Sequence, residues 1–487
     1  MSLHAAFRGR EAFAPRADYR LLPFRFTRLD EQRVIVTSEV GEHVVMNRAQ
    51  LTAFARRELA VTDALYRELE AKHLLFDDDN RSALDLLALK VRTRAAPIAN
   101  LTGLHIFVVT LRCDHSCHYC QVSRQTEDKT RFDMSREHAD RALAMVFESP
   151  SPAIKIEFQG GEPLLHFELI KHIVVEAERR NAVHGRDLQF VIASNLTQIT
   201  DEVLAFARDH RMYFSTSLDG PEDLHNANRP LRGGNSYRAA LSGIARIRAA
   251  LGRESVSALM TTTPASLPRV TEIIDEYVAH GFQSIFLRSL SPYGFAVRTR
   301  LVRGYDITAW LEFYRRGLAH ILELNRRGIR IREELTCVLL QKMMTPSGSS
   351  YVDLQSPAGI AIGALVYNYD GKIYASDEGR MLAEMGDPSF CLGSLDEQSF
   401  GSVMTNDALL GMLEDSLPES APMCADCAFL PWCGADPAYH QATQRDVVGH
   451  KAFSAFCTKQ MAVLRHLVAL LEDDPVARSI LTTWVSC

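Results

Sequence analysis

The sequence predicts an α/β fold, a parallel barrel or open sheet, on three observations. From residue 104 onward, short apolar strand-type runs alternate with amphipathic helical runs across short loops. That alternation marks parallel strands joined by crossover helices. The residues of unusual type fall at predicted strand C-terminal ends, where α/β folds place ligands because loops there vary without disturbing the core. Apolar residues make up 47% of the chain and charged residues 23%, enough for a large buried core.

The elements follow in order. "LHIFVVTL" is a strand that leads into Cys113, and "SREHADRALAMVFES" is a helix. The strand "IKIEFQ" ends at Gly160-Gly161 and is followed by the helix "FELIKHIVVEAERR". "LQFVIAS" ends at Asn195, and the helix "DEVLAFARDH" comes next. "MYFSTSL" ends at Asp219-Gly220, with a helix from Tyr237. The strand "VSALMTTT", a helix from Pro268 and the strand "SIFLRSL" complete six units over residues 104–300. Before them, "FRFTRLDEQRVIVTSEVGEHVVMN" reads as two or three short strands with a turn near Gly41. Asn47 and Gln50 offer a capping pair for a helix running on from Leu51. A second helix is expected over "DALYRELEAKHLLF", so residues 1–80 form a small α+β domain. Asp77–Asp79 and "TRAAPIAN" read as a linker, 81–103. Residues 301–345 read as a helical connection, with Trp310, Phe313, Leu318, Ile321 and Leu322 on one side. The remainder, 346–487, is turn-rich; it holds the hairpin "YNYDGKIYAS" and ends in the helix "KQMAVLRHLVALLEDD".

Net charge is −6, so nothing favours a nucleic-acid partner. The start, "MSLHAAFRGREAFAPRADYR", has no apolar core of a secretory signal. The longest apolar runs fall short of the roughly 20 residues of a membrane helix. The expected location is the cytoplasm, with no membrane association. Ten cysteines should be reduced there, and six of them fall into two clusters, 113/117/120 and 424/427/433. Such clustering points to metal or redox chemistry.

In "LRCDHSCHYCQ" three thiols are spaced C-x3-C-x2-C. Structural zinc takes four ligands, and a disulfide would leave one thiol over. Three cysteines on a four-iron cluster leave one iron open for a substrate or cofactor. The alternative is a zinc knuckle completed by His115 or His118. Four further motifs accompany the triplet: Tyr119 before its last cysteine, "GGEP" at 160–163, "SN" at 194–195 and "SLDG" at 217–220.

Together, on successive strand ends, these motifs resemble the radical S-adenosylmethionine (radical SAM) enzymes over about residues 100–290. The resemblance implies a partial (β/α)6 TIM-like barrel. It implies a 4Fe-4S cluster on Cys113, Cys117 and Cys120 whose open iron chelates S-adenosylmethionine, which one electron from an external donor such as flavodoxin or ferredoxin cleaves to a 5′-deoxyadenosyl radical. It places Gly160, Gly161, Glu162 and Pro163 at the methionine amino group, with glycines where backbone must approach the ligand. It places Ser194, Asn195, Ser217 and Asp219 at polar ribose and carboxylate contacts, and Tyr119 against the adenine. Arg229, in "HNANRP", matches an arginine that pairs with the methionine carboxylate in sulfatase-maturating relatives; a surface salt bridge is the alternative.

"CADCAFLPWC" with Cys457 resembles the SPASM domain of peptide-modifying radical enzymes, which normally carries two auxiliary four-iron clusters. Here Ser356, Ser376 and Pro437 stand at three of the cysteine positions that serve the first auxiliary cluster. Cys424, Cys427, Cys433 and Cys457 are the second cluster's set, so one auxiliary 4Fe-4S cluster is expected, with zinc on the same thiols as the alternative. Cys337 and Cys391 read as packing residues that could still replace a lost ligand, and Cys487 as a chain-end thiol. Asp377 matches an aspartate that acts as general base in sulfatase-maturating relatives; a turn residue is its other reading. Residues 1–80 resemble the winged-helix peptide-recognition domain of many peptide maturases, which takes a leader peptide as an added strand. The whole resembles the radical maturases of the His-Xaa-Ser peptide system. The implied partners are a precursor peptide with His-Xaa-Ser repeats and a second radical enzyme. A radical enzyme acting on a small molecule or on a protein Cys or Ser, and a non-catalytic iron–sulfur or zinc scaffold, are the competing readings.

Overall fold

A computed structural model describes residues 19–78, 80, 82–126, 128–299, 305–346 and 351–485. The readings made on the first eighteen residues, on Asp79 and on Cys487 lie outside the described residues.

Three antiparallel strands, β1 (Phe24–Arg28), β2 (Arg33–Ser38) and β3 (His43–Asn47), are followed by helix α1 (Arg48–Arg56). The Asn47 side chain accepts from Gln50 N and the Gln50 side chain accepts from Asn47 N, a reciprocal cap that starts the helix at Arg48, three residues before Leu51. Alternation along β2 splits its residues between two cores. Val34 and Val36 pack with Val44, Met46, Phe54 and Tyr66, while Ile35 joins the main core. Helix α2 (Ala64–Ala71) stops before "HLLF", because Leu75 and Phe76 pair antiparallel with Leu21 and Arg20.

The segment read as a linker contains helix α3 (Ser82–Ala95). Its alanines, leucines, lysine and arginines are good helix formers. Asp85 in the first turn and Arg92 and Arg94 in the last complement the helix dipole. Pro97, in the "TRAAPIAN" stretch read as linker, lies just past the end of this helix.

The central sheet holds β4 (Leu104–Thr110), β5 (Ala153–Gly160), β6 (Asp187–Ala193), β7 (Tyr213–Ser217), β8 (Val256–Thr261) and β9 (Leu287–Arg288). All six are parallel and adjacent in chain order. The crossovers run through α4 (Arg136–Glu148), α5 (Phe167–His184), α6 (Asp201–Asp209), α7 (Ser236–Leu251) and α8 (Val270–Ala279). Three of these helices start at side-chain caps, Ser135, Thr200 and Asn235. "SIFLRSL" is split: Ser284–Ile285 pairs with Arg332–Glu333, and only β9 joins the main sheet.

Helix α9 (Ile307–Arg326) buries Trp310, Phe313, Leu318, Ile321 and Leu322, and α10 (Glu334–Met344) follows. Beyond it, β10 (Ala364–Tyr367), β11 (Lys372–Tyr374) and β12 (Cys391–Ser394) do not form a sheet of their own. Strand β10 lies parallel to β4, with Val366 opposite Ile106, and β11 and β12 continue antiparallel. Among the described residues the sheet therefore has nine strands, in the order β9-β8-β7-β6-β5-β4-β10-β11-β12. Helix α11 (Asp377–Glu384) packs against β10, β11 and β12, α12 (Pro437–Gln444) packs against α11, and α13 (Ala455–Asp473) packs against α9. No described helix is long and apolar enough to cross a membrane.

The end of β5 lies so close to the end of β4 that only glycine fits. A Cβ on Gly160 would stand 1.9 Å from Thr110 O, and one on Gly161 2.1 Å from Arg112 O. The expected ligand approach is thus first an approach of strand to strand. Gly161→Ala should cost at least ~3 kcal/mol in denaturant unfolding, as severe overpacking does. Gly185→Ala, at φ +64° with open space around it, should cost only about 1 kcal/mol. Equal costs for the two would refute the close-approach account.

Candidate active site

The cysteine loop leaves β4 through Arg112, whose guanidinium is buried and forked on Asp133, with Nε–Oδ1 2.7 Å and Nη2–Oδ2 2.8 Å. This ion pair fixes the direction in which Cys113 sets off. Asp114, next along, ties the loop to the end of β6. Its carboxylate accepts from Asn195 Nδ2 at 2.7 Å and Thr197 Oγ1 at 2.5 Å, and lies 2.9 Å from His115 Nδ1. Burial raises the Asp114 carboxyl, but the hydrogen bonds from His115, Thr197 and Asn195 outweigh it and hold it below the usual carboxylate range.

Glu162 carries out a similar task from β5. It is fully buried and accepts from Ser194 Oγ and Asn195 N, both at 2.8 Å, and from Leu164 N at 3.1 Å. Burial, the largest cause, pushes its carboxyl up to about 7 against those bonds. Gly160, Gly161, Glu162, Pro163, Ser194 and Asn195 are therefore brought together around the start of the cysteine loop, and Ser217 is half-buried at the end of β7.

Tyr119, Asp219 and Arg229 form a third contact across the loop. Tyr119 donates to Asp219 Oδ2 at 2.6 Å, and Arg229 Nε lies 3.2 Å from the same oxygen. The Arg229 guanidinium also sits over the Tyr119 ring, 5.1 Å from its centroid. Asp219 is fully buried, so its carboxylate braces Tyr119 and Arg229. The partner of Arg229 is a buried aspartate and not a surface acid.

Cys113, Cys117 and Cys120 are all half-buried. The tightest group of metal-binding side chains among the described residues is Cys113, Asp114 and His115, with ligand atoms within 4.8 Å of one another. The three thiols together are spread more widely than that. Tetrahedral zinc with bonds of about 2.3 Å sets thiolates only about 3.8 Å apart. The wider spread fits a multi-iron cluster. Cys424, Cys427, Cys433 and Cys457 line one cleft, and they too are not gathered to zinc spacing. Burial pushes the Cys117 and Cys457 thiols up to about 11 and Cys433 up to about 12. Free thiols there would stay protonated; a bound metal deprotonates them and supplies the missing countercharge. Both sets thus fit iron–sulfur ligation.

The positions read as lost ligands have other partners. Ser356 Oγ donates to Glu419, Ser376 caps α11 through Gly379 N, and Pro437 opens α12. Cys391 Sγ lies 3.7 Å from Gly393 O, and Cys337 packs against the main core. Asp377 lies 3.1 Å from Arg380 Nε, an arginine that is only 1% exposed, and it is Glu378 beside it that faces a cavity. That cavity, about 620 Å³ with its mouth, lies between the end of β9 and helix α13. Asp353, Glu378, Asp436, Arg288 and Lys459 line it. Sequence reasoning missed this group. Its members come from five separate segments with no shared spacing, and only their nearness to Ser356, Ser376 and Pro437 gave a hint.

Residues 107–276 match the Radical SAM superfamily. A serine-type anaerobic sulfatase-maturating enzyme of Klebsiella aerogenes is 24% identical over 335 residues, 68% of this chain and 78% of that protein. An uncharacterized protein of Methanocaldococcus jannaschii is 27% identical over 188 residues, and the match spans 62% of its length. Among solved structures, anSMEcpe with bound S-adenosylmethionine superposes with a TM-score of 0.63 at 15% identity, covering 78% of this chain and 99% of that one. Streptococcus suis SuiB bound to its precursor peptide SuiA superposes at 0.53 and 12% identity, covering 89% and 98%. The central domain has the α/β radical SAM fold with a parallel sheet. The matched segment is similar to the radical SAM superfamily, whose members use a four-iron cluster and S-adenosylmethionine, and the chain is similar over more of its length to an anaerobic sulfatase-maturating enzyme.

Proposed function

We propose that this chain modifies a ribosomally made peptide, in the manner of the radical maturase B of the His-Xaa-Ser peptide system. One observation carries the peptide reading. Phe26 and Thr27, on the outer strand β1 of the N-terminal sheet, line the same cleft as Cys424, Cys427, Cys433 and Cys457. A peptide added to that edge by main-chain pairing would run along the second cysteine set. Phe26 is 56% exposed there, an apolar side chain suited to anchor such a strand. The unit is held in place: Arg25 Nε donates to Ala425 O, Trp432 Nε1 donates to Gly41 O at 2.9 Å, and Arg33 pairs with Asp473 at 2.6 Å.

In this reading Cys113, Cys117 and Cys120 hold the catalytic cluster, and Cys424, Cys427, Cys433 and Cys457 hold one auxiliary 4Fe-4S cluster. When bound, the catalytic cluster and S-adenosylmethionine supply a radical that abstracts hydrogen from the substrate. The chain's own residues orient that chemistry. Gly160–Pro163, Ser194, Asn195 and Ser217 present polar atoms at the strand ends, while Asp219 holds Tyr119 and Arg229 beside the loop. Asp377, whose Oδ1 lies against Arg380 Nε, would act as general base through its other oxygen. The relation to the Klebsiella aerogenes enzyme favours, as a second reading, oxidation of a Cys or Ser side chain in a protein.

Phe26→Glu tests the peptide reading. Its expected effect is about a tenfold loss of affinity for a co-encoded precursor peptide, the size of a lost interface anchor, with iron content and unfolding midpoint unchanged. Fluorescence anisotropy of labelled peptide is the measurement. An unchanged dissociation constant would remove β1 from the peptide site, and a mass change on that peptide after turnover identifies the reaction.

A further inference from the structure

We propose that the cavity between β9 and α13 binds a protonated basic side chain, an amine, guanidine or imidazole; that this side chain belongs to the substrate peptide rests on the reading above. Three carboxylates, Asp353, Glu378 and Asp436, line the cavity against two cations, Arg288 and Lys459. With all three ionised the balance is one negative charge in excess, and a cation entering the cavity would favour that ionised state over the raised carboxyls of Glu378 and Asp436. Lys459, whose charge acts on Asp436 and Asp353, also has its Nζ 3.3 Å from Ser289 Oγ and 5.7 and 5.8 Å from the Trp310 and Phe456 ring centroids.

Two residues of the lining carry a polar atom without a partner, and one of them, Gln460, is shared with the cysteine cleft. Tyr293 Oη and Gln460 Oε1 make no hydrogen bond, although their residues are only 2% and 3% exposed. A buried polar group without a partner is costly, so an occupant that supplied one would be favoured. The Gln460 amide oxygen and ionised carboxylates accept, and the Tyr293 hydroxyl can turn to accept as well, so an occupant with N–H donors satisfies them all. Burial first, and then the neighbouring charges of Asp353, Asp377 and Asp436, push the Glu378 carboxyl up.

A divalent metal fits less well. The carboxylate oxygens of Asp353, Glu378 and Asp436 are not gathered within 4.8 Å, and two cations stand among them. An organic cation with several spaced donors spans such a site. Aromatic walls from Tyr351, Tyr439 and Phe456 suit a planar or alkyl cation. The cavity also adjoins the cysteine loop. Leu290 lines it and packs with Tyr119 and Ala296 in a small apolar cluster. A side chain held here would place its neighbours in a peptide at the strand ends.

The test uses the reconstituted full-length protein and three probes: agmatine, histamine and the neutral pentylurea. Isothermal titration should show both amines binding and pentylurea not. Glu378→Gln and Asp353→Asn should each weaken amine binding by about tenfold, as loss of a buried charge partner does. Equal binding of amines and pentylurea, or amine binding untouched by both substitutions, overturns the proposal. If neither variant folds by thermal unfolding, carbodiimide labelling of the wild type decides: agmatine should protect Glu378 and Asp353 from modification, and absence of protection overturns the site. A peptide series differing at one position (Lys, Arg, His or norleucine) separates the two claims. Amines that bind while basic peptides gain nothing over norleucine would retain the cation site and overturn its assignment to a peptide.

Discussion

Replacing Cys113, Cys117 and Cys120 together by alanine is expected to abolish reductive cleavage of S-adenosylmethionine, to the level of an enzyme-free control. The same variant should lose half its iron. The two proposed clusters, one on three thiolates plus the cofactor and one on four thiolates, would give about eight irons per chain, and the variant about four. The loop itself should persist, because Arg112–Asp133 and the contacts of Asp114 with Asn195 and Thr197 hold its start without metal. Anaerobic reconstitution, iron analysis and chromatography of 5′-deoxyadenosine make the measurement. Wild-type iron near twelve would show that the serines at 356 and 376 had been misread. Retained cleavage in the triple variant would displace the triplet from the catalytic role.

The second large effect concerns the other four thiols. Cys427→Ala should reduce peptide modification far more than it reduces cleavage of S-adenosylmethionine. A cluster held by four cysteines has no open iron for the cofactor, so its loss acts through substrate placement, electron supply or local stability. The cleft that these thiols share with Phe26 and Thr27 makes placement the leading route. Paired chromatography of 5′-deoxyadenosine and peptide mass, with circular dichroism as the folding control, separates these steps. Unimpaired modification by a folded variant that lacks iron at this site would end the proposed role. Zinc found there in native protein would make the site structural.

The parallel sheet was legible in the sequence because its signal is local. Each strand and crossover helix announces itself within a dozen residues, and the motif residues sit at predictable ends. Helix α3 was hidden behind Pro97 and the acids before it, although its own residues favour a helix. The site was legible only where chemistry dictates spacing, as in the cysteine triplet. Asp114 was not, since its role depends on Asn195 and Thr197, some eighty residues away. The carboxylate cavity was hidden for the same reason. Asp377 drew attention through a motif position, whereas the neighbouring Glu378 is the one that turns into the cavity. Which of two adjacent acids faces inward is decided by the helix that Ser376 caps, and the spacing of residues does not contain that.

The pairing of β10 with β4 has a practical side for anyone redesigning this protein. Strand β4 carries the chain into Cys113, and without β10 it would become an outer strand with its main-chain groups at Leu104–Phe107 left open. Open strands of that kind recruit other chains. A shortened chain ending before residue 364 should therefore precipitate or misassemble and not yield a trimmed catalyst. Chimeras that exchange the C-terminal third between relatives need their crossover point after the hairpin that ends at Tyr374, so that the strand guarding the cysteine loop travels with the barrel it completes.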